Sequence, residues 1–323
     1  MTADSPTLPT SSPSQAGAGH ARPAPAWQVW TGLWIVYIVW GSTYLAIRVM
    51  VETVPPLLGA GVRFSVAGAV MLGVLAVRRS VRPTRAQLLS ALAVGALLPG
   101  ANAVVTIAEV DVPSALAALL VAAVPLILIV LRRVAGESVS RASVGGVVIG
   151  FAGVALLLLP GERPDGATLA GMLAILGAAC MWATGSFAAP RVELPRDPLA
   201  AVGWQMLLGG AAITIVGLAL GEGGDVDLDG FSLRSLLALA YLIVFGSWVA
   251  YTAYAWLLQN APISKVATYA YVNPLVAIVL GWLILDEVVT STTIVGAAII
   301  VASVALVVRT EARAGPAADP PDR

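Results

Sequence analysis

The sequence predicts an all-α integral membrane protein with ten transmembrane helices arranged as two inverted five-helix repeats. Three observations carry this. The 323-residue chain is 59% hydrophobic and only 11% charged, with a mean hydropathy of +0.90, well beyond the roughly 45–50% apolar share of soluble domains. Ten apolar segments are long enough to cross a hydrocarbon core of about 30 Å. The second half of the chain repeats the first at an offset of 142 to 150 residues.

The elements follow in order. Residues 1–29 begin "MTADSPTLPTSSPSQAGAGHARPAPA", rich in Pro, Ser and Ala and without an apolar stretch, so a disordered tail with no cleavable signal peptide is expected. Spans are predicted at 30–49, 57–77, 87–108, 113–131 and 143–159, then at 168–189, 198–220, 234–258, 262–285 and 291–308. The domain organisation is therefore a first five-helix unit over 30–160 and a second over 168–309, with residues 310–323 as a second tail. The connections are too short for an extramembrane domain.

Lysine and arginine placement predicts orientation. With the N-terminus in the cytoplasm, fourteen basic residues fall inside, including Arg78, Arg79, Arg82, Arg85, Arg132, Arg133 and Lys265; three fall outside, Arg48, Arg163 and Arg234. Both termini are then cytoplasmic. The Arg-for-Lys bias and the Ala and Gly load suggest a bacterial genome and hence the cytoplasmic membrane. The longest external loop, "GEGGDVDLDG" at 221–230, is acidic and reads as a solvated turn.

The repeat is visible residue by residue. An offset of 149 sets Pro113 on Pro262 and Pro125 on Pro274; an offset of 150 sets Glu137 on Glu287, Ser140 on Thr290 and Gly146 on Gly296; an offset of 142 sets Trp40 on Trp182, Gly61 on Gly203 and Gly68 on Gly210. A unit with five crossings, repeated in tandem, must lie upside down relative to its twin, which is the plan of many secondary transporters. Pro125 and Pro274 sit about halfway along apolar helices. There a missing N–H is tolerable only where the backbone faces protein or a water-lined cavity. Kinks beside a transport path and kinks that merely let helices pack are both open.

"VWGSTYLAIR" at 39–48, "GVRFSVAGAVML" at 61–72, "NAPISKVATYAYVNPLVAIVLGWLILDE" at 260–287 and the internal duplication resemble the EamA-type permeases of the drug/metabolite transporter superfamily. The resemblance spans Trp30 to Arg309. It implies ten helices, cytoplasmic termini, and a cavity lined mainly by helices one, three, four, six, eight and nine that carries amino acids, amines or other small metabolites. One departure is a spacing of twelve residues from Pro125 to Glu137 against thirteen from Pro274 to Glu287, which predicts a shortened or distorted end to helix four.

Polar and aromatic residues of those helices make up the expected substrate pocket. Helix one offers Trp40, Thr43 and Tyr44, helix three Asn102, and helix six Trp182 and Ser186. Ser247, Tyr251 and Tyr254 share one face of helix eight by i, i+4, i+7 spacing, and Tyr271 and Asn273 precede the proline of helix nine. Trp27, Trp30, Trp34 and Trp282 read as interfacial anchors. Arg63 is the one clear ionisable residue within a span. A buried cation there is costly, so it serves either as a bidentate carboxylate clamp or as a structural charge that snorkels or binds helix-end carbonyls.

Other chemistry is scarce. Cys180 is the sole cysteine, expected as a small buried hydrophobe, and His20 is the sole histidine, so no metal site and no cofactor are expected. There is no GxxxxGK[ST] phosphate loop, and no enzyme activity or nucleic-acid partner is expected. Glu52, Glu109, Asp111, Glu137 and Glu287 lie near helix ends and read mostly as solvated loop charges. Transport is then facilitated diffusion or weakly proton-coupled, with Glu109 as the possible proton carrier. Gly146, Gly150 and Gly153 of helix five, at helical spacing, suit close packing within the bundle or against a second protomer, so a monomer or homodimer is expected. The functional expectation is a secondary transporter, read as an exporter, for a small organic metabolite or drug. A passive channel or a non-transporting membrane subunit is the alternative.

Overall fold

The computed structural model describes residues 24–78, 82–159 and 167–314, and every one of its membrane-length elements is a helix. The residues before 24 and after 314, and Arg79 and Arg163 among the counted charges, lie outside the described residues. In chain order the helices are α1 (Ala26–Met50), α2 (Pro56–Arg78), α3 (Arg85–Ala108), α4 (Ser114–Val121), α5 (Val124–Val134), α6 (Arg141–Leu158), α7 (Leu169–Ala188) and α8 (Pro198–Ala219). Then come α9 (Leu233–Tyr241), a π-helical segment (Leu242–Val249), α10 (Ala250–Asn260), α11 (Ile263–Val266), α12 (Tyr269–Leu285) and α13 (Ser291–Ala314). The expected tails are trimmed accordingly: residues 26–29 and 310–314 are helical.

Among the described residues nine helical stretches are long and apolar enough to span a membrane, with α4 and α5 counted as one and α9 through α10 as another. The expected span at 262–285 is realised as a single turn, α11, followed by the 17-residue α12. Several helices begin where side chains can satisfy free N–H groups, which have no water to turn to in a bilayer. Thr84 and Gln87 form a reciprocal capping box. Ser140 accepts from the Ser143 amide at 2.9 Å and its repeat partner Thr290 from the Thr293 amide at 3.1 Å, so the last helix of each half opens on the same cap.

The repeat persists at the helix ends. Gly136 (φ 84) and Asp286 (φ 53) occupy matching positions and both adopt the left-handed conformation that closes a helix C-terminus. The Glu137 amide donates five residues back to Arg132, whereas the Glu287 amide donates six back to Gly281. The one-residue difference in spacing is thus absorbed in the last turn.

Packing is reciprocal between the halves: α1 lies against α12 as α7 lies against α4 and α5, and α1 against α10 as α7 against α3, while α2 packs along α8 and α6 along α13. Glycines make the α2–α3–α8 seam possible. A Cβ on Gly68 would stand 2.5 Å from the Leu207 amide nitrogen, one on Gly210 2.4 Å from that of Ser65, and one on Gly95 2.4 Å from the Gln205 carbonyl oxygen. On the other side Gly146, Gly150 and Gly153 face Val307, Leu126 and Ile299, so the α6 glycine stripe is used within the bundle. Cys180 corrects its expectation. It is exposed, because α7 turns Ala178 and Ala179 inward and leaves the next position on the outer surface.

The seam predicts an outcome. Gly68→Val and Gly210→Val meet backbone that has nowhere to go, so each should lose about 1–3 kcal/mol or more of stability, read as a lowered Tm in detergent. Gly73→Ala, with open space around its Cβ, should leave Tm within a degree or two of wild type or raise it.

Candidate functional site

The two halves meet around a cavity with about 100 Å³ of free space, small beside the roughly 300–1,000 Å³ of typical ligand pockets. Its wall is built from helix faces. α1 contributes Trp40, Thr43, Tyr44 and Ile47, whose i, i+3, i+4, i+7 spacing is a single stripe. α3 contributes Ala101, Asn102 and Val105, and α7 contributes Ala178, Ala179 and Trp182. α12 supplies Tyr269, Ala270, Asn273 and Pro274, α10 Tyr251, and α2 Arg63. The junction of α4 and α5 closes the ring with Ala118, Val121, Ala122, Val124 and Pro125.

Both prolines border this space, though neither does so in the expected way. In the first half the helix breaks at Ala122–Ala123 and Pro125 opens the new helix. In the second half α12 runs on through Pro274, and the interruption falls earlier, at 267–268. A proline cannot donate to the carbonyl four residues back, which here belongs to Val121 and to Ala270. Both line the cavity, so two backbone acceptors are released at its wall. Pro99, also inside a helix, escaped notice in the sequence.

Arg63 is the centre of the polar network. It is only 3% exposed. Its Nε donates to the Ser247 hydroxyl at 3.0 Å and its Nη1 to the Asn102 side-chain oxygen at 2.9 Å, with the guanidinium 4.7 Å from the Phe64 ring centroid. Neither snorkelling nor helix-end binding describes it. Its remaining N–H donors have no hydrogen-bond partner among the described residues, and the group lines the cavity. Ser247 lies in the π-helical segment, as does Gly246, whose carbonyl accepts from the Trp40 indole at 3.2 Å. A π turn loosens the regular ladder and here offers anchors to both Arg63 and Trp40. Gly246 also packs closely there, since a Cβ would sit 3.0 Å from the Thr43 methyl and 3.3 Å from Nη2 of Arg63.

Aromatic contacts stiffen one side. The Trp40 ring centroid is 5.1 Å from those of Tyr251 and Tyr254 and 5.2 Å from that of Tyr269, edge-to-face with Tyr251 and Tyr269 and tilted with Tyr254, within the range that favours aromatic pairs. Of the expected pocket residues, Trp40, Thr43, Tyr44, Asn102, Trp182, Tyr251 and Asn273 line the cavity. Ser247 and Tyr254 stand one layer behind, holding Arg63 and Trp40. Ser186 and Tyr271 are outside the lining. Tyr269 escaped the sequence reading, although its place one turn before Asn273 was a usable signal.

The loop carboxylates are more engaged than solvated. Glu287 accepts from the amides of Ser114 and Ala115 at 2.8 and 3.1 Å, and Glu222 from those of Leu57 and Leu58 at 3.0 and 2.8 Å. Each places negative charge on the N-terminus of a helix from the other half, where the helix dipole favours it. Glu137, the repeat partner of Glu287, instead pairs with Arg132 at 2.7 Å and with Arg191. The Arg132 hydrogen bond holds its carboxyl below the usual carboxylate range. Glu52 lies 3.7 Å from Arg234. Glu109 is fully buried, and neither carboxylate oxygen has a hydrogen-bond partner among the described residues.

A bundle of membrane-length helices around a central, mostly apolar cavity with a few fixed polar groups is the architecture of a multi-pass membrane transporter. The EamA-like transporter family matches residues 30–159 and again 169–309. The uncharacterized inner membrane transporter YedA of Escherichia coli K12 is 39% identical over 252 residues, covering 77% of this chain and 80% of that protein. The WAT1-related chloroplastic protein At3g02690 of Arabidopsis thaliana is 27% identical over 286 residues, 86% of this chain and 69% of that one. A crystal structure 20% identical in sequence shares the fold with a TM-score of 0.61, covering 91% of this chain and all of the other. The chain belongs to the EamA-like transporter family.

The network predicts that Ser247→Ala, which strips a buried guanidinium of one acceptor, should cost about 1–3 kcal/mol, measured as a lower Tm in detergent. Ser186→Ala, outside the cavity, should be nearly silent.

Proposed function

We propose that this protein is a secondary transporter of the cytoplasmic membrane, both termini inside, that exports a small carboxylate-bearing organic molecule by alternating access. In this reading ten crossings form two inverted five-helix repeats, with α11 and α12 together as the ninth. The odd number of crossings per unit, the reciprocal helix contacts and the arginine asymmetry support it. The observation that carries the substrate class is Arg63, buried at the cavity wall with N–H donors to spare. A carboxylate there gains a charge-assisted, bidentate contact, while Trp40, Tyr44, Trp182 and Tyr269 accommodate an apolar or aromatic body. The space is small, about 100 Å³, which suits a metabolite rather than a bulky drug.

Alternation requires that a gate on each side open in turn. The pair of Glu287 with the α4 N-terminus ties the two halves at the end assigned to the outside. The matching residue Glu137 pairs with Arg132 of its own half and with Arg191 of the second, so the halves are also tied at the end assigned to the inside. Contacts across the halves at both ends are the pattern of a state closed on both sides.

Two measurements test the reading. Purified protein in proteoliposomes should show saturable, counterflow-stimulated flux of a carboxylate ligand; unsaturable flux would mean a pore, and none at all a non-transporting subunit. In a thermal-shift screen carboxylates should raise Tm while amines do not, and Arg63→Gln should abolish the shift. Equal stabilisation of the Arg63→Gln protein removes the arginine from ligand contact. A second prediction concerns topology. In a Cys180→Ser background, cysteines introduced near Arg141 and near Glu287 should be labelled from opposite sides of the bilayer.

A further inference from the structure

Glu109 has no role in the cavity as described, yet it is the least accommodated polar group among the described residues. It ends α3 with a fully buried side chain whose two oxygens lack any hydrogen-bond partner among the described residues. The groups in electrostatic range are Arg48 of α1, Arg63 of α2 and Glu287 after α12, with Tyr44 of α1 on the cavity side. α7 offers Gly171 and Thr168 beside Ala108 and Val112, and neither titrates. Neither arginine makes an ion pair with the carboxylate: Arg48 spends Nη1 on the backbone carbonyls of Glu109 and Val110, and Arg63 is held by Ser247 and Asn102. A bare carboxylate buried without a partner, with a second carboxylate nearby, is expensive; the neutral acid is far less so.

The place of this side chain matters as much as its burial. Four residues, Val110 to Pro113, separate it from Ser114, and Ser114 and Ala115 are the residues whose amides Glu287 grips. The hydroxyl of Ser114 is itself buried without a partner. Any movement that releases Glu287 from α4 therefore admits water to Glu109. We propose that Glu109 is a proton-binding site that couples the state of the outer gate to external pH: it holds a proton while the gate is closed and releases that proton to external water when the gate opens. The O–H bond of the acid breaks, the proton passes to water, and the carboxylate left behind is stabilised by solvent and by the two arginines. Closing the gate again requires a proton from outside. This rests on the alternating-access reading above and makes its outer gate sensitive to external pH.

The test reads gate opening. In a Cys180→Ser background, Ala118→Cys places a thiol in the cavity wall, and a membrane-impermeant thiol reagent is applied from outside to right-side-out vesicles. Rates are taken relative to the same reporter in Glu109→Gln, which cancels the titration of the thiol itself. The ratio should be near one in acid and rise several-fold in mild alkali, by no more than about tenfold per pH unit for one proton. Glu287→Gln should raise labelling at every pH and keep the pH dependence. Glu109→Leu, a second neutral replacement, should match Glu109→Gln; if neither folds, the wild-type rate corrected by a free thiol in the same buffer is decisive, and a flat profile overturns the proposal. Loss of the pH dependence in Glu287→Gln but not in Glu109→Gln would overturn it as well. Saturable counterflow with a flat ratio would sink the proton site alone, whereas absence of counterflow would sink the transport reading.

Discussion

In a bilayer no water is at hand to satisfy a backbone N–H or C=O, so helical continuity is the condition on which this structure depends. Departures from it are confined to places where protein or a cavity supplies a partner. The break at Ala122–Ala123, the interruption before Tyr269, the two prolines and the π-helical segment Leu242–Val249 all cluster around the space between the halves. α6, α8 and α13, which do not line that space, run unbroken. Irregular backbone marks the cavity as clearly as its side chains do.

A second constraint is the absence of a hydrophobic force between helices already bathed in lipid. Association relies on close approach and on polar contacts. The glycine seam between α2, α3 and α8 brings backbone against backbone, and the Glu287 and Glu222 carboxylates tie helix N-termini of one half to loops of the other. Dispersion contacts over the seam are spread out and tolerant of small rotations, whereas two hydrogen bonds to one carboxylate are made or lost together. The seam suits an axis and the carboxylates suit catches.

Much of this was legible in the sequence. Long apolar runs and the 142 to 150 residue offsets define the helices and their pairing, and Trp40, Asn102, Trp182, Tyr251 and Asn273 reach the cavity as their helix faces suggest. What was not legible depends on a residue's partners rather than its type. Nothing in "LIVFGSWV" marks a π turn, and nothing there shows that its Gly246 and Ser247 accept from Trp40 and Arg63. Cys180 looked buried because its neighbours are apolar, yet within a membrane an apolar environment lies outside the bundle as well as inside it. Glu287 looked like a loop charge, and only the fold brings the amides of Ser114 and Ala115 to it across 173 and 172 residues of chain.

The cavity floor carries a last implication. Ala101, Ala118, Ala122, Ala178, Ala179 and Ala270 all face the same small space, each with a single methyl group and no hydrogen-bonding duty in its side chain. On the proposed transport reading, shape selection is exercised by subtraction. Trading one alanine for glycine or valine adds or removes roughly a methyl or two of room while leaving the arginine network, the seam and the catches untouched. Paralogues on this scaffold can thus diverge in diet through a handful of conservative exchanges, with the machinery inherited whole.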